Sequence, residues 1–439
     1  MVSLVVDAPP RRRTMLSALA DTLAYWRAFV FYLRGGKFEG SDPFAGYADG
    51  KRMKVHVFSL ALAVRLWSAP HYRKASYAGD LRDNFRNVAV PGTGVPLSVL
   101  TYSRAAAVVF LAVGYPALCL VAGLAHAYRA AGRALDVAGG LVAYREQLLA
   151  PRDWFSLWRI NSRLAAWHSL ATRDAGAAAP GAGWHDYDME NKWAFLARGR
   201  ARGVAVSPVL DVPALCVKHK NEEGGMGIHF FRNALGGGDW IIQEVMANEA
   251  FVANLLPPGA PLSTFRVMTA SRLGLPEGRR GAGPAVAAIA CVFRAGRAGA
   301  ATDHDSILFD VDVATGKIGR GTTNMQWYKL GPQHAAPFGS VRWAPPADTL
   351  NHPDTGKPVT GAQIPGFEDR VLELARDAHE KLLPRVPLAG WDVVLSKDHG
   401  PCLLEANLSC NFFRGSFDEA KYVDFIHDYF AYCDTVSPV

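Results

Sequence analysis

The sequence predicts an α/β or α+β fold in which a mainly helical N-terminal region precedes a part rich in strands. Apolar residues recur with helical spacing in segments such as 15–33. Toward the C-terminus, short apolar runs bounded by polar residues and glycine, such as 393–395 and 402–404, predict strands. The chain has 439 residues and 50% of them are hydrophobic, so it can bury a large core in two or three subdomains.

Segment 15–33 is the first predicted helix. It follows three arginines at 11–13 and carries Asp21 and Arg27 among its apolar residues. It has no uninterrupted hydrophobic stretch and no small-residue cleavage site after it, so a signal peptide is not expected. We expect an amphipathic helix on a domain surface or a membrane surface, with an organellar transit segment as the alternative.

Segment 105–128 is the most apolar part of the chain. Apart from His126 it contains no side chain that would carry a charge, and it is long enough to cross about 30 Å of hydrocarbon. Pro116 near its middle allows a kinked span or two short helices that re-enter on the same side. A buried helical pair in a soluble lobe is the alternative, because alanine-rich soluble helices resemble weak spans. Membrane contact through 105–128 is therefore one of two open predictions.

A change in composition at 171–183 separates the helical region from the rest of the chain. Alanine, glycine and proline dominate this segment, which is typical of a flexible connection. We therefore expect the helical region to end at residue 184.

The next feature is an apolar strand that ends near Lys218, followed by a glycine-rich loop and a second strand. Gly224, Gly225 and Gly227 would let backbone N–H groups approach phosphate oxygens, and Lys218 or Lys220 would add a charge for the β- and γ-phosphates. The loop leads into a strand and has no G-x-x-x-x-G-K-[ST] pattern, which argues against a P-loop fold. A glycine-rich turn without a ligand is the alternative.

Segment 239–246 predicts a buried strand that ends in the polar pair Gln243 and Glu244. It comes directly after the lysine hairpin. A strand of this kind could line a nucleotide base.

Near the C-terminus, two short apolar runs separated by the polar turn 396–400 predict a β-hairpin. Asp392 precedes the first run, and Glu405 and Asn407 follow within the second strand. Because Glu405 and Asn407 lie two residues apart, they project from one face of the strand. Carboxylate and amide oxygens suit a magnesium ion that also keeps phosphate oxygens and waters as ligands. The pattern predicts a magnesium-nucleotide site, and a hairpin with ordinary polar residues is the alternative.

The order of these motifs resembles the ATP-grasp superfamily over roughly residues 185–420: a lysine strand, a glycine loop, the Gln243–Glu244 segment, arginine strands and finally D-x12-E-x-N. The surroundings are most similar to the sugar-transfer-associated, glutamate-ligase-related branch. The resemblance implies two α/β lobes that clamp ATP with Mg²⁺, or with Mn²⁺ in its place. The small lobe would be 185–245 and the large lobe 246–439, after the helical region 1–184.

The resemblance also implies roles for single residues. Arg266 and Arg294 would face the transferred phosphate or acyl phosphate, where a planar guanidinium can pair with two oxygens at once. For a strand arginine, a salt bridge is the alternative role. Two lysines would bind nucleotide phosphates and the remaining residues would lie around the adenine and ribose: Lys192, Lys218, Gln243, Glu244, Val245 and Glu249.

The reaction implied by the resemblance is ATP-dependent activation of a carboxylate. The acyl phosphate would react with an amine to give an amide, ADP and phosphate, so the expected partners are a small-molecule carboxylate and an amine. Phosphotransfer to a hydroxyl is the main alternative. A scaffold that keeps a vestigial nucleotide fold is a further alternative, which the joint presence of Lys218, Asp392, Glu405 and Asn407 disfavours.

Charge and cysteine content restrict the remaining classes. The formal net charge is +7, but zinc-finger spacing, an RNP-like aromatic motif and a lysine tract are all missing, so acidic ligands or an anionic membrane are expected and nucleic acid is not. The six cysteines form no C-x-x-C pair, which favours reduced, buried thiols. We expect a cytoplasmic or organellar compartment that contains ATP, with membrane association open. The sequence does not indicate an oligomeric state.

Overall fold

The computed structural model describes residues 14–86, 98, 101–132, 134–176, 186–302, 306–322, 349–409 and 415–437. Helices dominate up to residue 176, and two antiparallel sheets with further helices follow. This mixture confirms the α+β prediction. Every named strand pair is antiparallel, so the described sheets are not the parallel sheets of the α/β class.

Seven helices form the described N-terminal region: α1 (Met15–Leu33), α2 (Gly50–Arg65), α3 (Tyr77–Phe85), α4 (Arg104–Val109), α5 (Tyr115–Ala130), α6 (Val137–Leu149) and α7 (Trp154–Gly176). Helix α1 begins with a capping box, in which the Thr14 hydroxyl accepts from the Ser17 N–H and the Ser17 hydroxyl accepts from the Thr14 N–H. Helix α2 is the central one, since 13 of its 16 residues are buried.

Helices α4 and α5 are joined by the π-helical turn Phe110–Gly114 into one apolar helical segment. Pro116 has no N–H to offer the carbonyl of Ala112. That carbonyl instead accepts from Trp26 Nε1 (2.6 Å), and the neighbouring carbonyl of Leu111 accepts from the Tyr25 hydroxyl (2.7 Å). The proline is thus accommodated without a break, and the described chain does not form two re-entrant helices.

The described residues from 186 onward form four helices and eight strands: α8 (Lys192–Ala201), β1 (Ala214–Lys218), β2 (Ile228–Arg232), α9 (Ala250–Leu255), β3 (Thr264–Ser271), β4 (Val286–Ala295), β5 (Ile307–Val311), β6 (Ile318–Thr322), α10 (Glu373–Leu382), β7 (Leu388–Ser396), β8 (Gly400–Asn407) and α11 (Glu419–Val436). Strands β1 and β2 form a separate hairpin. The other six strands form one sheet in the order β6-β5-β4-β3-β7-β8.

One face of the six-stranded sheet packs against α10. Alternating residues of the central strands, including Phe265, Phe293 and Trp391, share a core with Ala375 and Ala378 of α10. The burial of this set explains the period-2 pattern of the strands.

A buried hydrogen-bond chain ties this face to α10. Trp391 Nε1 donates to the Thr269 hydroxyl (2.7 Å), which donates to His379 Nδ1 (2.6 Å). His379 Nε2 in turn donates to the carbonyl of Val386 (2.9 Å). Burial lowers the pKa of His379 to about 4, so the ring is neutral, as this chain of hydrogen bonds requires.

The opposite face of the sheet is divided between the helical region and a polar cluster. Met268 and Leu388 belong to the same core as Tyr429 and Phe430 of α11 and the helices before residue 177. Helix α11 therefore packs with the helical region, although it follows the sheet in sequence. The domain boundaries remain a prediction, because 177–185, which contain the end of the predicted connection, lie outside the described residues.

Candidate functional site

The predicted hairpin near the C-terminus is present as β7 and β8, and it carries all three predicted metal ligands. Trp391 pairs with Ala406 and Val393 with Leu403, so two β8 residues lie opposite Asp392. This bulge brings the side chain of Glu405 within hydrogen-bonding reach of Asp392. Asn407 Nδ2 lies 3.3 Å from Glu405 Oε1.

Asp392 is paired with two arginines from neighbouring strands. The β3–β7 register places Arg266 directly opposite it, and both carboxylate oxygens accept from Arg266, with Nη2 at 2.9 Å from Oδ2. Arg294 on β4 approaches the same oxygen at 3.4 Å. Burial would raise the pKa of Asp392, but the charge and hydrogen bonds of Arg266 and the charge of Arg294 hold it below the usual value. Asp392 is therefore ionised and fixes the orientation of Arg266.

Lys192 of α8 approaches the polar cluster formed by Asp392, Glu405, Asn407, Arg266 and Arg294. It is the first residue of α8, whose N-terminus is capped by Asn191, and its Nζ lies 3.1 Å from Glu405 Oε2. The Lys192 side chain is 65% exposed and the Glu405 side chain 27%, whereas those of Arg266 and Asp392 are below 10%. The cluster is thus buried at the arginines and open to solvent at Glu405.

The basic side chains Arg266, Arg294 and Lys192 lie around the two carboxylates of Asp392 and Glu405. Guanidinium and ammonium groups attract anions, and the N-terminus of α8 adds the positive end of a helix dipole.

Two residues that the sequence did not indicate support the end of β8. Glu190 Oε1 accepts from the N–H of Leu408 (2.7 Å) and from the N–H of Ser409 (3.4 Å), directly after Asn407. Its other oxygen pairs with Arg73 Nε of the helical region at 2.9 Å. The only local signal is that Glu190 stands two residues before Lys192. These contacts make the helical region a structural support of the candidate site.

The predicted glycine loop has the expected backbone conformation. Gly224, Gly225 and Gly227 all adopt positive φ angles of 64°, 81° and 65°. A Cβ atom at Gly227 would also lie 2.5 Å from Glu222 Oε2. The pattern read from the sequence therefore reflects a real conformational need for glycine.

The β1–β2 hairpin is not part of the sheet that carries the carboxylate cluster. Lys218 is exposed at the end of β1, and within the described residues no hydrogen bond or ion pair joins it to Asp392 or Glu405. Val217 and Phe230 are also exposed, Phe230 to 75%. The structure thus places the predicted phosphate loop and the predicted metal ligands on separate elements.

The predicted strand over 239–246 is wrong, and its side chains are mostly exposed. The physical reason is that the edge strand β8 already has a neighbour: Leu403 exchanges backbone hydrogen bonds with Ala205 and Ser207. The segment 241–247 makes single backbone hydrogen bonds, such as those from the Leu210 N–H to the Ile242 carbonyl and from the Lys397 N–H to the Ala247 carbonyl, and it runs as an irregular connection.

The four residues predicted to surround adenine and ribose lie on or next to this connection. Gln243 Nε2 donates to the Ser207 hydroxyl (2.8 Å) and the Pro208 carbonyl (2.7 Å). Glu244 pairs with His399 of the β7–β8 turn, and Val245 is fully exposed. The Glu249 carboxylate pairs with Arg370. The role of these residues toward a nucleotide stays a prediction.

The donor set of the cluster fits a hard divalent cation. Glu405 and Asn407 supply carboxylate and amide oxygens at the solvent-accessible end of the cluster, which are the ligand types that Mg²⁺ and Mn²⁺ prefer. Both oxygens of Asp392 accept from Arg266, so Glu405 and Asn407 are the more accessible donors.

The comparisons with known proteins bear on this part of the chain. No curated protein and no solved structure matches the chain. A family match supports ATP binding and ATP-dependent, ligase-type chemistry at the level of the superfamily, whose domains generally bind ATP and divalent metals. Residues 344–413, which include Asp392, Glu405 and Asn407, match the family described as sugar-transfer associated ATP-grasp, and this match confirms the predicted ATP-grasp resemblance.

Proposed function

We propose that the protein is an ATP-dependent ligase that activates a small-molecule carboxylate as an acyl phosphate and joins it to an amine. The observation that carries the proposal is the arrangement of Arg266, Arg294 and Lys192 around Asp392 and Glu405. Polyphosphates and carboxylates are the ligands that such a cluster attracts.

The proposed reaction has two half-reactions. First, an oxygen of the substrate carboxylate attacks the γ-phosphorus of ATP, and the bond from that phosphorus to the β-phosphate oxygen breaks to release ADP. The amine nitrogen then attacks the carbonyl carbon of the acyl phosphate, the C–O bond to phosphate breaks, and the nitrogen loses a proton. Neither half-reaction needs a covalent protein nucleophile, so positioning and charge stabilisation supply the acceleration.

The residues of the cluster have distinct tasks in this proposal. Asp392 holds Arg266 in place through two hydrogen bonds. Arg266 and Arg294 would stabilise negative charge on the transferred phosphoryl group. Glu405 and Asn407 would hold Mg²⁺ or Mn²⁺, which neutralises phosphate charge when bound.

The β1–β2 hairpin would complete the nucleotide site. Its exposed Lys218 and the three positive-φ glycines are suited to phosphate oxygens. The exposed Val217 and Phe230 would be covered if the hairpin packs over bound ATP.

Hydroxylamine trapping tests the proposed reaction. The purified chain is incubated with MgATP, hydroxylamine and pooled amino acids and sugar acids, and ADP and hydroxamates are measured. We expect hydroxamate with wild type and none with Arg266→Ala, because hydroxylamine intercepts an acyl phosphate and does not react with a phosphorylated hydroxyl. A stable phosphomonoester without hydroxamate would establish a kinase instead. Nucleotide binding without ATP consumption would establish a scaffold.

A further inference from the structure

The exposed face of α1 is a continuous apolar stripe. The opposite face of this helix packs into the core through residues such as Tyr25 and Phe29. The residues of the exposed stripe are spaced by three or four positions: Leu16, Leu19, Leu23, Trp26 and Val30. Helix α1 is therefore apolar on two sides, and within the described residues only one of them is covered.

A second apolar stripe runs along the joined helices α4 and α5. Among the described helices, Arg104–Tyr128 is the one long and apolar enough to cross a membrane, with a mean hydropathy of 2.3 and only 17% of its most apolar window buried. Within the described residues this low burial favours a surface position over a buried helical pair. Its exposed positions between 105 and 121 are all apolar: Ala105, Val109, Val113, Ala117 and Val121.

The two stripes meet where the side chain of Trp26 reaches the π-helical turn. Trp26 belongs to the α1 stripe and donates to the carbonyl of Ala112, whose neighbour Val113 is 63% exposed. The hydrogen bond from Tyr25 to Leu111 fixes the same junction. We call the combined surface the apolar face.

Within the two helical segments themselves, the exposed charges have one sign. Asp21 is the only acidic residue in 15–33 and 104–130, and it is buried. Arg27, Arg34 and Arg104 are exposed. At the C-terminal end of α1, an open cleft is lined by Trp26 and neighbouring apolar residues together with Arg27 and Arg34. Cationic and aromatic groups beside an apolar stripe match the headgroups and acyl chains of anionic lipids.

We propose that the apolar face lies in the plane of a bilayer that contains anionic lipids, with its stripes inserted at the interface. An in-plane position is favoured because the opposite side of the same helices packs against the protein. From Ala107 to Ala127, one side of the α4–α5 segment is buried against the protein, and its Tyr115 donates to the Gln147 carbonyl (2.6 Å). A helix that crossed the bilayer would lose these contacts. An all-apolar stripe of four turns also suits hydrocarbon better than a protein partner, whose interface has a polar rim.

Vesicle flotation of the full chain tests this proposal. We expect it to float with vesicles of phosphatidylcholine and phosphatidylserine, and less with phosphatidylcholine alone or at high salt. Leu23→Asp and Val113→Asp should each lower the bound fraction roughly tenfold, since each loses the burial of one large apolar side chain. The matched control is Leu350→Asp, at an exposed leucine outside α1, α4 and α5, and it should bind like wild type.

Four outcomes would overturn the proposal. Wild-type protein that stays with the aqueous fraction, or binding unaffected by both face variants, would show that lipid does not cover this surface. A dimer in lipid-free sedimentation that Val113→Asp dissociates, without any vesicle binding, would assign the face to a second copy. Tyr102→Cys and Tyr128→Cys should both gain label from an impermeant maleimide outside the vesicles, and protection of only one would mean that the helix crosses.

Discussion

Asp392→Asn should destabilise the fold strongly, because this carboxylate compensates two buried or half-buried arginines. The side chains of Arg266 and Asp392 are only 9% and 5% exposed, and the substitution removes the charge that both Arg266 and Arg294 face. Removing one partner of a buried pair costs about 3–5 kcal/mol, since the remaining charge is neither paired nor hydrated. We therefore expect the free energy of unfolding to fall by at least about 3 kcal/mol.

Urea unfolding followed by circular dichroism measures this loss. The matched control is Asp398→Asn in the exposed turn of the same hairpin, which should stay within about 0.5 kcal/mol of wild type. Combining Asp392→Leu with Arg266→Met should recover part of the loss, because the buried charge and its partner then leave together. A loss below about 1 kcal/mol for Asp392→Asn is the size expected of a surface salt bridge, and it would refute the buried pair.

Three further predictions concern the site and the sheet. Glu405→Gln should reduce MgATP turnover by orders of magnitude but change unfolding by less than about 1 kcal/mol, because its partner Lys192 is mostly exposed; unchanged turnover would contradict the assignment. Lys218→Ala should weaken ATP by about 1.5–3 kcal/mol and adenosine much less in calorimetric titrations, whereas equal losses would make Lys218 structural. The folded-state pKa of His379 is about 4, below the ordinary value of about 6.5, so the unfolded chain binds the extra proton and stability falls as pH drops from about 6.5 to about 4. This pH-dependent contribution of His379 to the free energy of unfolding is on the order of 3 kcal/mol. Urea unfolding of His379→Gln at a series of pH values should lack it. An identical pH dependence in wild type and His379→Gln would rule the contribution out.

The local features of the candidate site could be predicted from the sequence, but their mutual contacts could not. The β7–β8 hairpin follows from two apolar runs and a polar turn, and the two-residue spacing of Glu405 and Asn407 places them on one face. The β8 bulge opposite Asp392 and the pairing of Arg266 with Asp392, 126 residues apart, depend on strand register. Asp392 was predicted as a metal ligand alone, and its hold on Arg266 is visible only in the folded chain.

The support that the helical region gives to the site could not be predicted for the same reason. Arg73 has no local pattern that relates it to the site, and its contact with Glu190 depends on the packing of the helical region against the sheet. The failed strand over 239–246 shows the converse effect. Its apolar residues suit a strand, but β8 had already paired with 205–207, so tertiary structure overrode local propensity.

We propose that Glu405 and Asn407, beside the arginine-bound Asp392, hold the metal of an ATP site. Electron paramagnetic resonance of Mn²⁺, titrated into the protein with and without ATP, measures this most directly because Mn²⁺ accepts the same oxygen ligands as Mg²⁺. We predict ATP-dependent binding of Mn²⁺ to wild type and to Asp398→Asn, and a loss of at least roughly tenfold in affinity for Glu405→Gln and Asn407→Ala. Equal Mn²⁺ affinity in all four proteins would contradict the account.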